Sequence, residues 1–508
     1  MDKRSLLIIP AAMALASCST ESYEKPNIIF ILADDMGYGD VSFLDSNSKI
    51  NTPHLDKMAS QGAVLTDAHS SASVSTPTRY SILTGRYNWR SELKENVLYG
   101  YDKSFIPAER STMATMLSKA GYTTAAIGKW HLGWTWDNID QGEENIDYSK
   151  PIHGGPTDHG FDYFYGFNGS LDMAPYVYVE NNMPTAIPDH VTVQLKRDFP
   201  LGWWRKGPTS PDFVHEQVLP NLVDRACNYI AEQAQGDKPF FLYLPLPAPH
   251  TPILPTEEFR GKSGLGDYGD FVVMVDHMVG RVFTALQEAG CDQNTLVVFT
   301  TDNGCSPAAG IDDLIAQDHY PNSIYRGHKA DLYDGGHRIP CLVRWPAKIE
   351  HHTIDQTICQ TDFYATFAAL AGYTIEDCEG EDSYDISQAL LCPNNTQTIR
   401  QATVHHSFDG DFTIRKGDWK LLMTASSGGW SYPKPTDTAT LAKLPPVQLY
   451  NMAQDPSETE NLCLEKPEIV EQLKALLVEY ITQGRSTPGE PQQNDGGYPW
   501  RQIASFVE

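Results

Sequence analysis

The sequence predicts an α/β fold: a large, mixed and mostly parallel sheet sandwiched by helices, with a smaller C-terminal antiparallel sheet and one helix behind it. Three observations carry this. Two apolar runs without alternation, 25–35 and 296–304, read as strands buried on both faces, the habit of parallel sheets, and both end in acid or amide side chains. Helix and strand patterns alternate between them, as in chains that build parallel sheets. After about residue 395 the runs become short and alternating, the spacing of antiparallel hairpins. A chain of 508 residues holds one large core plus a smaller domain, and 41% hydrophobic with 20% charged residues is ordinary globular composition.

The chain opens with Met1-Asp2-Lys3-Arg4, an apolar stretch to Ala16, then Ser17-Cys18. A basic start, a short apolar core and small residues describe an export signal, too short to span a bilayer. Leu15-Ala16-Ser17-Cys18 has the form of a bacterial lipobox, which makes Cys18 a lipidated first residue. The expected division is a lipoprotein signal peptide over 1–17, a tether over 18–24, a catalytic domain over 25–395 and a C-terminal subdomain over 396–508. The expected location is the periplasm, the outer membrane or the cell surface, with the membrane engaged only through the lipid anchor. A formal charge of -27 argues against a nucleic-acid partner, which selects basic faces. The other eight cysteines form no CxxC pair, so zinc is not expected; Cys378 and Cys392 flank a polar acidic loop and could pair in an oxidising compartment.

In chain order, the first run ends in Asp34-Asp35, two carboxylates at the end of a buried strand and so a hard oxygen site for a divalent cation. A helix is expected over 53–62. Ser75 then precedes Pro77, a residue suited to a first helical turn, which sets Ser75 just before a helix N-terminus where free N–H groups favour an anion. A plain helix cap is the other use of a serine there. Arg79, one turn on, returns to the same mouth. A helix over 112–120 leads to a strand over 123–127 that runs into Gly128-Lys129-Trp130-His131-Leu132-Gly133. Residues 134–215 lack a clear period. A long loop in a compact domain is usually functional, and Tyr165, Tyr176, Tyr178, Trp203 and Trp204 are candidates to line a sugar pocket, with Asp172 as acceptor for a sugar hydroxyl. A helix over 219–235 and a strand over 240–244 lead to His250, whose flanking prolines deny it helix or sheet. A long helix over 269–289 precedes the second acid-ended run with Asp302 and Asn303. Strands are expected over 412–415, 417–422 and 448–450 and a helix over 467–482, and His405 and His406 are candidates for the rim of the site.

Ser75-Thr76-Pro77-Thr78-Arg79 with Leu83-Thr84-Gly85 resembles the signature of the type I, formylglycine-dependent sulfatases, of the alkaline-phosphatase superfamily. The 128–133 segment resembles the family's GKWHLG motif, Pro249-His250-Thr251-Pro252 its Pro-His-x-Pro element, and 327–340 its G-x-K-x4-E-G-G-x-R-x-P element, with Asp334 in place of glutamate. The resemblance implies that Ser75 is converted to 3-oxoalanine by a serine-oxidising maturation enzyme. It implies one Ca2+ held by Asp34, Asp35, Asp302, Asn303 and the oxygen of residue 75. Arg79, Lys129 and Lys329 would surround the sulfate, with His250 as acid toward the departing sugar and His131 assisting release of sulfate. Asp172, His328, His337 and Arg338 would hold a sulfated carbohydrate, cut in exo fashion at 4- or 6-sulfated galactose or N-acetylgalactosamine of host or algal glycans. Two rivals remain at this point: a phosphatase or phosphodiesterase of the same superfamily, and a non-catalytic glycan-binding lipoprotein.

Overall fold

The computed structural model describes residues 24–193 and 202–507. The leader, Cys18 and the tether up to residue 23 lie outside them.

Ten strands make one mixed sheet: β1 (Asn27–Ala33), β2 (Ala63–Leu65), β3 (Thr123–Lys129), β4 (Tyr163–Phe167), β5 (Val179–Glu180), β6 (Met183–Pro184), β7 (Phe240–Pro245), β8 (Thr295–Thr301), β9 (Cys341–Arg344) and β10 (His352–Ile354). Their order is β10-β2-β9-β8-β1-β7-β3-β4-β5-β6. The central five, β8-β1-β7-β3-β4, are all parallel. Strand β1 sits in the middle, which is why its run does not alternate: Ile29, Ile31 and Ala33 enter one core and Ile28, Phe30 and Leu32 the other, all fully buried.

Helices cover both faces. On the first lie α1 (Pro53–Ser60), α4 (Val218–Gln233) and α5 (Gly266–Glu288); on the second lie α2 (Ser75–Thr84), α3 (Met113–Lys119) and α6 (Asp362–Ala371). The ends of α1, α3, α4 and α5 fall within a few residues of the sequence expectation, α6 was not expected, and Thr112 caps α3 by accepting from Thr115 N–H at 3.1 Å. Strand β4, inside the long region without period, was not legible in the sequence; its YFYGF is too short and too aromatic to separate from packing loops.

Behind this lies a four-stranded antiparallel sheet, β11 (Thr403–His406), β12 (Phe412–Lys416), β13 (Trp419–Leu422) and β14 (Gln448–Asn451), with α7 (Pro467–Thr482) packed against it. The core of this unit includes Tyr87, Trp89 and Cys359 from the main part, so the two share buried surface. Strand β11 was also not expected. Cys378 and Cys392 do not pair as proposed: Cys378 is an exposed thiol, and Cys392 Sγ lies 3.8 Å from Gln388 Oε1. Among the described residues no helix is long and apolar enough to cross a membrane.

Candidate functional site

Because β8, β1, β7 and β3 run parallel, their carboxyl ends share one edge, and four chemistry-bearing segments arrive there together. Asp34 and Asp35 follow β1, Lys129 closes β3, His250 lies beyond β7, and Asp302 and Asn303 follow β8. Close strand approach helps to fix Lys129: a Cβ at Gly128 would lie 2.0 Å from the Pro245 carbonyl, and its φ of 141° suits glycine alone.

Ser75 is the first residue of α2, one position further in than the sequence suggests, and its side chain caps nothing. Its Oγ donates instead to Asp34 Oδ1 at 3.3 Å, with Lys129 Nζ 3.5 Å from it. Lys129 also donates to Asp34 Oδ2 at 2.5 Å. Arg79 Nη2 reaches Asp302 Oδ2 at 2.8 Å and Asp34 Oδ2 at 3.5 Å, and its Nη1 donates to the Lys129 carbonyl at 3.1 Å. Lys329 pairs with Asp35 at 2.7 Å, and Asn303 Nδ2 donates to Asp35 Oδ1 at 2.7 Å. Asp35 itself adopts φ 64° and His131 φ 55°, left-handed backbone that non-glycine residues hold only where surroundings enforce it.

These groups are buried, and burial and the neighbouring charges together set their protonation. Burial alone would raise Asp34, but Lys129, His250 and Arg79 outweigh it and hold the carboxyl at about 2. Burial works against the charge of Lys329, yet Asp35, Asp34 and Asp302 hold its ammonium above the usual value. For His131 burial, reinforced by Lys129 and Arg79, keeps the imidazole neutral by pushing it well below the ordinary value. Its Nε2 is 2.8 Å from the Leu98 carbonyl, an acceptor only, so Nε2 carries the hydrogen. Nδ1 is then a buried lone pair with no partner among the described residues.

The family model for sulfatases matches residues 26–373. The chain belongs to the sulfatase family. It is a sulfuric ester hydrolase, and the match takes in Asp34, Asp35, Ser75, Arg79, Lys129, His250, Asp302 and Lys329. N-acetylgalactosamine-6-O-sulfatase of Bacteroides thetaiotaomicron is 31% identical over 93% of this chain and 98% of that protein. Human arylsulfatase A is 30% identical over 93% of this chain and 90% of that one. A solved structure described with the metabolism of multiple glycosaminoglycans by Bacteroides thetaiotaomicron superposes with TM-score 0.79 at 32% identity, over 90% of this chain and 99% of that chain.

In this sulfatase a cavity of about 610 Å³ opens over the cluster, within the ~300–1,000 Å³ range of small-molecule sites. Ser75, His131, Asp172, His250 and Lys329 line it. Its far walls hold residues that no sequence pattern marks: Tyr99, Arg205, Phe408 and Trp430, the last two from the C-terminal part. A lone aromatic in a loop has no periodicity to mark it.

Three residues expected to bind substrate do not reach the cavity. His328 turns aside, its Nδ1 2.9 Å from the Lys329 carbonyl and 3.5 Å from Asp331. His337 is buried, with Nδ1 3.0 Å from His69 Nδ1 and its ring stacked on His405 at 4.1 Å. Arg338 is spent on Asp67 at 2.7 Å and Asp334 at 3.4 Å. His405 and His406 are likewise buried away from the rim, bonded to the Ser70 carbonyl and to Asn88. His337, Arg338 and His405 belong to a network with His69 and Asp67 where the main sheet meets the C-terminal one, and there Asp334 accepts from Lys420 at 2.7 Å. The shorter acid at 334 is thus matched by a partner 86 residues away. Tyr165, Tyr176 and Tyr178 are core residues, and Trp204 stacks on His215 at 4.9 Å; of the aromatic candidates only Trp203 lines the cavity.

Asn303 is buried beside Asp35, to which its Nδ2 donates, and its Oδ1 has no hydrogen-bond partner among the described residues. An orphaned amide oxygen beside three carboxylates is a donor set that a hard oxygen-seeking cation satisfies. Asp34, Asp35 and Asp302 balance Arg79, Lys129 and Lys329 in charge, so an anionic ester entering alone would add uncompensated charge to a buried place. A divalent ion offsets it. The residues therefore fit calcium.

Proposed function

We propose that this sulfatase removes sulfate from a carbohydrate, in exo fashion at a 6-O-sulfated N-acetylgalactosamine or galactose unit, using Ser75 matured to 3-oxoalanine and one calcium ion. The observation that carries the reading is the convergence of the Ser75 hydroxyl with Asp34, Lys129 and Arg79 at the floor of a cavity walled by two histidines. Support for the ring and position comes from the 31% identical relative, an N-acetylgalactosamine-6-O-sulfatase.

Asp34, Asp35, Asp302, Asn303 and the oxygen of residue 75 would hold the calcium, which when bound would offset negative charge developing at the ester. Once matured, residue 75 would supply the nucleophilic oxygen. Lys129, Lys329 and Arg79 fix the anionic head, the lysines as point charges and Arg79 through an orientation locked by Asp302 and the Lys129 carbonyl. His250 delivers a proton to the departing sugar oxygen: its Nδ1 is 2.5 Å from the Thr251 carbonyl, so Nε2 is the working nitrogen. Both oxygens of Asp302 are engaged, by Arg79 and by the Asp35 N–H at 3.2 Å, whereas His131 Nδ1 has no partner among the described residues and offers an open lone pair toward the cavity. The leader pattern with Cys18 supports a lipid-tethered, exported enzyme.

Mass spectrometry of the Ser75 peptide from protein purified from its native host should show loss of two hydrogens, together with turnover of a 6-sulfated sugar in a panel of sulfated monosaccharides. Unmodified serine and no turnover across the panel would reject the reading.

A further inference from the structure

Asp172 is 4% exposed on the cavity wall, and its two oxygens are in different situations. Oδ2 accepts from Arg205 Nη1 at 2.5 Å. Oδ1 is buried and, among the described residues, has no hydrogen-bond partner. An acceptor left unmet in a dry wall is costly unless whatever fills the cavity supplies the donor.

Arg205 is held as firmly as Asp172. Its backbone N–H donates to the Asp172 carbonyl at 3.0 Å, its own carbonyl accepts from Tyr176 Oη at 2.6 Å, and its guanidinium lies over the rings of Trp203 at 4.7 Å and Tyr99 at 5.2 Å. The side chain is nonetheless 40% exposed, so part of its donor edge remains open to the cavity. The wall thus offers an acceptor beside a donor, fixed in relative position and with no net charge.

We propose that Asp172 and Arg205 read a pair of hydroxyls on the ring that bears the sulfate: one donates to Asp172 Oδ1 and its neighbour accepts from Arg205. This rests on the sulfatase reading above and narrows it to a class. The ring is a neutral hexose or N-acetylhexosamine with a single sulfate. A sulfated uronic acid, or a ring with a second sulfate, would bring an anion against Asp172 with no surplus positive charge to meet it. Arg205 also fixes the outcome of the isosteric change Asp172→Asn: its N–H groups retain the amide oxygen, turning the NH2 toward the sugar. An acceptor becomes a donor without loss of shape.

The test is calorimetric binding of 6-O-sulfo-N-acetylgalactosamine and of its 3-deoxy and 4-deoxy analogues to wild-type protein and to Asp172→Asn, with turnover of 4-nitrophenyl sulfate followed in parallel. Asp172→Asn should weaken binding of the parent sugar roughly 10- to 100-fold, the range of a hydrogen bond to a charged group. One deoxy analogue should bind the wild type as weakly and lose little more in the variant, because the same bond has already gone. Equal binding by both proteins, fully additive losses, or tighter binding of a sulfated uronic acid would overturn the assignment. Absence of turnover on every substrate with the binding pattern intact would strike the hydrolase reading and leave this one standing.

Discussion

Replacing His250 by alanine should cost this enzyme far more on a sugar sulfate than on an activated aryl sulfate. The imidazole is 7% exposed on the cavity wall, its Nδ1 tied to the Thr251 carbonyl at 2.5 Å and its Nε2 3.6 Å from Asp35 Oδ2. It is therefore a fixed proton donor rather than a mobile surface group. A sugar alkoxide is a poor leaving group and needs the proton as the bond breaks, and a positioned acid contributes roughly 10²- to 10⁴-fold, or about 2.7–5.4 kcal/mol of barrier. A nitrophenolate departs without help, so the same substitution should reduce its kcat/KM by no more than about tenfold, the part due to altered packing beside Asp35. The assay is kcat/KM for both substrates on matured protein, across pH 5 to 9, with circular dichroism to confirm the fold. Equal losses on the two substrates would refute the leaving-group role and assign His250 to holding the anion or the Asp35 carboxylate.

Two further outcomes follow from the buried polar groups. Removing the orphaned oxygen with Asn303→Ala should weaken calcium binding, seen as a smaller rise in denaturation midpoint with added calcium; wild type should gain about 2.7 kcal/mol at a hundredfold excess over Kd. A midpoint indifferent to calcium in both proteins would count against the ion. His406 is fully buried and held down to about 3 by burial, so below its ordinary 6.5 the unfolded chain binds a proton that the folded chain refuses. Its contribution to stability is present above pH 6.5 and lost as pH falls toward 3, at about 1.4 kcal/mol per pH unit. His406→Gln should remove that increment from the acid-side slope of denaturation midpoint against pH. The comparison with wild type matters, because Asp276 and Glu458, both raised by burial to about 7, bend the parent curve the other way.

Legibility in the sequence tracked the range of the interaction that decides each residue's place. Asp34, Asp35, Lys129, Asp302 and Asn303 follow apolar runs, and once those runs are parallel neighbours, sharing an edge is automatic. His250 was legible because prolines constrain it locally. His337 and Arg338 lie in a family-like motif near Lys329, yet a turn of the α-helical segment Asp334–His337 sends them toward Asp67, His69 and His405 instead of the cavity. Trp430 and Phe408 reach the cavity from the C-terminal unit, from loops whose spacing carries no signal.

Sequence alone thus determined which chemistry the chain carries and on which strand ends it sits, since burial on both faces dictates unbroken apolar runs and the polar residues that end them. Tertiary structure decided who is already taken. Asp172 is claimed on one oxygen by Arg205, 33 residues away, and Arg338 is withdrawn from substrate by Asp67, across 271 positions of chain. Whether a charged side chain is free to meet a ligand depends on what folding has brought against it, and no periodicity along the chain encodes that.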